Sequence, residues 1–118
     1  MSLTVNAKTY TADRVGQDSV GYVGPADTLS VKDEILLART EPKPTPTFSG
    51  VARYRVKLTR THTLTGALTT SHPSVSALDH SIPVGASDAD IDAICADLGA
   101  YIASAAYKAA LKKLTVNM

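Results

Sequence analysis

Hydrophobic and polar positions alternate most clearly in VARYRVKLTRTHTL, residues 51–64. Successive side chains of a strand point to opposite faces, so Tyr54, Val56 and Leu58 share one face. Arg53, Arg55, Lys57, Thr59 and Thr61 share the other. Upstream, LTVNAKTYTADRV and VGYVG flank the turn-forming GQDS, which predicts a hairpin. TLSVKDEILLART reads as a further strand of mixed parity, with Leu29, Val31, Ile35 and Leu37 against Lys32, Glu34, Leu36 and Ala38. Its mixed parity leaves the side taken by Arg39 open. EPKPTPTFSG is a linker, because its prolines cannot donate to a ladder. TLTGALTTSHP follows the alternating strand as a polar loop, and SVSALDHSIPV is the last strand. There Leu78, His80, Ile82 and Val84 oppose Val75, Ala77, Asp79 and Ser81.

From residue 87 the period changes. Ile91, Ile94, Leu98, Ile102 and Ala105 follow the three-and-four spacing of a buried helical stripe. Ser87 is placed to cap this helix, with Asp90 three residues on. Asp88, Asp90 and Asp92 suit its positive end, and Lys108, Lys112 and Lys113 the other. A break is expected between Ser104 and Tyr107. Strands followed by helices predict an α+β fold: an N-terminal β-hairpin and antiparallel sheet, then C-terminal helices on one sheet face. Residues 1–118 form one domain, with hairpin and sheet over 1–84 and helices over 87–114. The second sheet face is left open, and it carries the basic ladder.

Charge sharpens this picture. The chain has 118 residues and a net charge of +1. Residues 1–38 hold three Lys/Arg against five Asp/Glu, and residues 61–118 hold the same. Residues 39–60 carry six cations, Arg39, Lys43, Arg53, Arg55, Lys57 and Arg60, against Glu41 alone. Such a concentration points to an anionic partner. Cys95 has no disulfide partner and reads as a small buried hydrophobe of a reducing compartment. No apolar run is long enough for a membrane span, and MSLTVNAKTY lacks the features of a signal peptide. An intracellular soluble product is expected.

Catalytic chemistry is not indicated. His62, His72 and His80 have no short metal-ligand spacing and no cysteine partner, so no metal is expected. Asp79, His80 and Ser81 alternate faces and cannot converge as a triad. No phosphate-loop or dinucleotide glycine pattern occurs. Tyr101 and Tyr107 read as packing residues. The sequence predicts no enzyme, no cofactor and no small-molecule substrate.

The order of a hairpin, the EPKPTPTF loop, the ARYRVKLTRT strand, the TLTGALTTS loop and the SIPVGASDAD passage into helix resembles the coat proteins of single-stranded RNA bacteriophages, levivirus-like in type. The resemblance covers nearly the whole chain. It implies an intertwined homodimer with one continuous sheet, each subunit's helices reaching over the partner's sheet. It also implies an icosahedral shell of dimers around genomic RNA, a virion protein made in the bacterial host cytoplasm. On the inner sheet face it implies RNA binding by Arg53, Arg55, Lys57, Thr59 and Thr61, with Asp79 on the neighbouring strand and Arg39 and Lys43 as outlying candidates. The helix stripe of Ile91, Ile94, Leu98 and Ile102 would belong to the dimer interface. Thr65, Gly66, Ala67, Leu68 and Thr69 would form an inter-dimer loop. Family members also repress replicase translation by gripping an RNA hairpin. They do so with a stacking tyrosine and a polar neighbour where this chain has Val75 and Ala77. The alternative reading is a non-assembling dimeric RNA-binding translational regulator.

Overall fold

The computed structural model describes residues 2–66 and 68–116. Contacts divide the chain into two units, Met1–Val84 and Gly85–Met118. The first unit is a six-stranded antiparallel meander in which every strand pairs with its sequence neighbours. The expected α+β class is observed, strands first and two helices after.

The opening hairpin differs from the expectation. LTVNAKTYTADRV is two strands rather than one, β1 (Ser2–Val5) and β2 (Lys8–Val15). Asn6 and Ala7 both take positive φ, 51° and 64°, the signature of a two-residue type I′ turn. An asparagine followed by alanine hides this turn, whose commoner form has glycine second. The register of β2 then shifts between Ala12 and Arg14, a bulge that leaves Asp13 as an extra residue. β3 (Ser19–Val23) follows the GQDS turn, where the Gly16 N–H donates to the Ser19 carbonyl at 2.8 Å.

β4 is shorter than TLSVKDEILLART suggests, running only over Asp33–Thr40. The segment before it is bound as a loop: Thr28 N–H donates to the Val31 carbonyl, and Val31 N–H to Thr28 Oγ1. Side-chain bonds of this kind compete with a ladder and win here. β5 (Val51–Thr63) and β6 (Ser71–Pro83) are the long pair, thirteen residues each. β6 begins earlier than expected and forms one edge of the sheet, where Pro73 is tolerated because its missing N–H can face outward.

Paired residues share a face, so the register sorts the side chains. On one face Tyr10, Tyr22 and Ile35 are buried, with Leu3, Ala12, Val20, Leu37, Val56 and Leu58 packed around them. That face also buries one charge. Asp33 is 3% exposed, and its Oδ1 accepts from Tyr10 Oη at 3.1 Å and from Arg60 Nη2 at 3.2 Å. Arg60 Nη2 also donates to Tyr10 Oη at 2.9 Å, which closes the triangle. Burial lowers the Arg60 pKa, but the hydrogen bonds to Asp33 and Tyr10 and the Asp33 charge outweigh it and hold the guanidinium above its ordinary value. Gly24 allows this close packing: a Cβ there would lie 2.6 Å from Asp33 Oδ2 and 2.7 Å from the Tyr10 ring.

In the second unit, α1 spans Asp88–Ala103 and α2 spans Ala105–Lys113. Ser87 caps α1 as expected, its hydroxyl accepting from Asp90 N–H at 3.1 Å. Ser104 makes the break. Its hydroxyl donates to the Tyr101 carbonyl at 2.6 Å and accepts from Tyr107 N–H at 3.2 Å, closing one helix and opening the next. The Tyr101 and Tyr107 rings meet edge to face at 5.1 Å across the kink. Neither helix has a buried residue. Cys95 is exposed, not the buried hydrophobe expected.

Candidate nucleic-acid interface

β5 positions the candidate side chains through its pleat. The register places Arg53 between Thr40 and Ser81, Arg55 between Ala38 and Asp79, and Lys57 between Leu36 and Ala77. All three therefore stand on the face opposite Tyr22 and Ile35. Rows of cations two residues apart repeat at about 6.6–6.8 Å along a strand, close to the spacing of successive phosphates on a nucleic-acid chain.

The ladder is partly compensated. Arg55 Nε lies 3.4 Å from Asp79 Oδ1, with both side chains more than half exposed. Exposed pairs of this type contribute roughly 0–1 kcal/mol, so a phosphate can displace Asp79 easily. Arg14 and Glu34 extend the same face and approach each other at 3.9 Å. Among the described residues neither Arg53 nor Lys57 has a carboxylate at salt-bridge distance.

Thr59 and Thr61 also fall on this face, beside Val75 and Pro73. The Thr61 hydroxyl already accepts from Lys32 N–H at 2.9 Å, so it keeps its O–H donor and one lone pair for a ligand. Lys43 and Arg53 line one shallow depression at the strand's start, together with Glu41 and Phe48. Gly50 closes that corner: its φ is 99°, and a Cβ would meet the Lys43 backbone at 3.0 Å.

Arg39 is not part of the ladder. It pairs in register with Tyr54, on the face of Ile35 and Leu37, and its charge is taken by Asp18 at 3.3 Å and Glu41 at 3.6 Å. Arg60, counted with the basic segment by sequence, is likewise on the other face and committed to Asp33. Of the basic segment's cations the structure thus brings Arg53, Arg55, Lys57 and Lys43 together. Arg14 joins from β2, which no local signal in the sequence revealed.

The helix stripe is open in the single chain. Ile91 and Leu98 are half-buried, while Ile94 and Ile102 are 46% and 40% exposed. In the loop over residues 64–70, Thr65, Gly66, Leu68 and Thr69 are exposed, and Ala67 lies outside the described residues. Gly66 has a φ of 74°, which favours glycine.

No protein-family model matches the sequence, and no curated protein matches it. Solved structures do. A chain of the virus-like particle of bacteriophage AVE019 superposes with a TM-score of 0.76 at 14% identity, covering 100% of this chain and 96% of that one. The virus-like particle of Wenzhou levi-like virus 4 gives 0.69 at 22% identity over 82% and 68% of the two chains. That of Beihai levi-like virus 32 gives 0.66 at 19% identity over 87% and 89%. The chain has the levi-like virus-particle fold.

Proposed function

We propose that this protein is the structural subunit of a viral capsid, which dimerises, closes into an icosahedral shell and binds genomic RNA on the face of Arg53, Arg55 and Lys57. The observation that carries the reading is the likeness of fold to chains of virus-like particles, over 82–100% of this chain.

The physical chemistry of the lone chain supports self-association. Among the described residues the buried hydrophobic side chains are Tyr10, Tyr22 and Ile35, few for a domain of this size. Tyr54 and Val84 on the sheet unit are 44% and 49% exposed, and Tyr101 and Leu111 on the helical unit 55% and 63%. Apolar surface of this extent calls for a partner. The outer edge of β6 adds an unpaired row of backbone donors and acceptors. A second copy meets both needs at once: its β6 continues the sheet, and its helical stripe covers apolar side chains. The exposed Thr65, Gly66, Leu68 and Thr69, with Leu68 fully open, then serve contacts between dimers.

Val75 and Ala77 beside the cations offer no ring for base stacking, so the RNA is held mainly through phosphate. Repression of replicase translation by the same face would follow from affinity for structured RNA more than from base readout.

Expression of the chain alone in bacteria should give closed particles containing host RNA, visible by electron microscopy. A monomer stable at all concentrations overturns the proposal. RNA-bound dimers without particles would replace it with the non-assembling regulator. Leu98→Asp is expected to abolish dimers and particles by placing an unpaired charge in the apolar contact. Normal shells from that variant, in the same micrographs, would exclude the helix stripe from the interface.

A further inference from the structure

The register of β5 and β6 joins two histidines that the whole hairpin loop separates in sequence. His62 and His72 occupy directly paired positions, both exposed, on the same face. Side chains so paired stand about 4.5–5.5 Å apart at Cβ, within reach of one shared ion. Their second ring nitrogens are already engaged. His72 Nδ1 lies 2.9 Å from the Pro73 carbonyl oxygen, which can only accept, so Nδ1 carries the proton and Nε2 the lone pair. His62 Nε2 lies 2.6 Å from Ser74 Oγ, which in turn lies 3.4 Å from the Arg60 carbonyl oxygen, so the Nε2 side of the ring is anchored and Nδ1 is left for a ligand. Each imidazole thus has one nitrogen anchored and the other available to a metal. Metal-ligating histidines are held in this way.

We propose that His62 and His72 form a two-imidazole site for a divalent first-row cation of the Cu²⁺, Ni²⁺ or Zn²⁺ class. Imidazole nitrogen suits these ions. No group of three or more His, Cys, Asp or Glu placed for a metal occurs among the described residues, so water completes the coordination sphere. Such an ion clips β5 to β6 just below the 64–70 loop. Ser74 is a positioning residue, acting on the metal through His62.

The test is titration of the full-length protein with Cu²⁺ alone, read by calorimetry and electron paramagnetic resonance. The wild-type spectrum should show two equatorial imidazole nitrogens at one ion per chain. His62→Ala and His72→Ala should each lose one nitrogen and bind at least about tenfold more weakly, a change of about 1.4 kcal/mol. His80→Ala should match the wild type. Ser74→Ala should keep both nitrogens yet bind about tenfold more weakly or worse. A wild-type spectrum lacking two imidazole nitrogens overturns the proposal, without recourse to any variant. So does wild-type affinity in His62→Ala or His72→Ala.

Discussion

Replacing Arg60 with methionine is expected to destabilise the protein by about 3 kcal/mol, more than any other single cation change. The reason is what the substitution leaves behind. Asp33 has only 5% of its side chain exposed, and without Arg60 its carboxylate keeps one hydroxyl donor, Tyr10. Stranding one member of a buried ion pair costs about 3–5 kcal/mol. The lower end applies because 36% of the Arg60 side chain meets solvent and water can enter as it leaves. Tyr10→Phe removes two hydrogen bonds but keeps the ion pair, so its cost should be smaller, about 1–3 kcal/mol. Urea unfolding of the two variants beside Arg53→Ala checks the order. A midpoint for Arg60→Met equal to that of Arg53→Ala would mean the network contributes nothing to the core.

That network shows where sequence reading stops. Arg60 belongs by composition to the basic segment, yet its even position in the alternation places it with Val56 and Leu58 rather than with Arg53, Arg55 and Lys57. The period was visible; the partner was not, because Asp33 reaches Arg60 only through the pairing of β4 with β5. Arg39 fails for the related reason that Leu36 and Leu37 are both apolar, so alternation in β4 cannot name its face. Asn6 and Ala7 concealed a strand boundary because positive φ was supplied without glycine. Helix limits were far more legible. Ser87 and Ser104 act on backbone groups three residues away, and such local chemistry is written in a short window of sequence. The pairing of His62 with His72 is the opposite case: linear spacing carries no hint of it, and only the register of the hairpin creates it.

The largest functional effect is expected from removing Arg53, Arg55 and Lys57 together. If the open face of β5 holds RNA by its phosphates, the triple alanine variant should still fold, since all three project away from the core. Particles should form but retain little RNA. Each lost phosphate contact lowers the salt slope of binding by about 0.7–0.9, so the three together should flatten it by about 2–3. Two single variants separate this from a general charge effect. Arg39→Ala removes the same charge from the opposite face and should leave the slope unchanged. Asp79→Asn frees Arg55 from its 3.4 Å pair and should tighten RNA binding while folding stays intact. A face that acts only as a solvated sheet surface has no reason to distinguish Arg39 from Arg55, or to gain affinity when an acid beside its cations is neutralised. Unaltered RNA retention by the triple variant, measured by nuclease-protected RNA per particle, would remove β5 from the RNA interface. Tighter binding by Asp79→Asn with no change in Arg39→Ala would tie the RNA to this one pleated face.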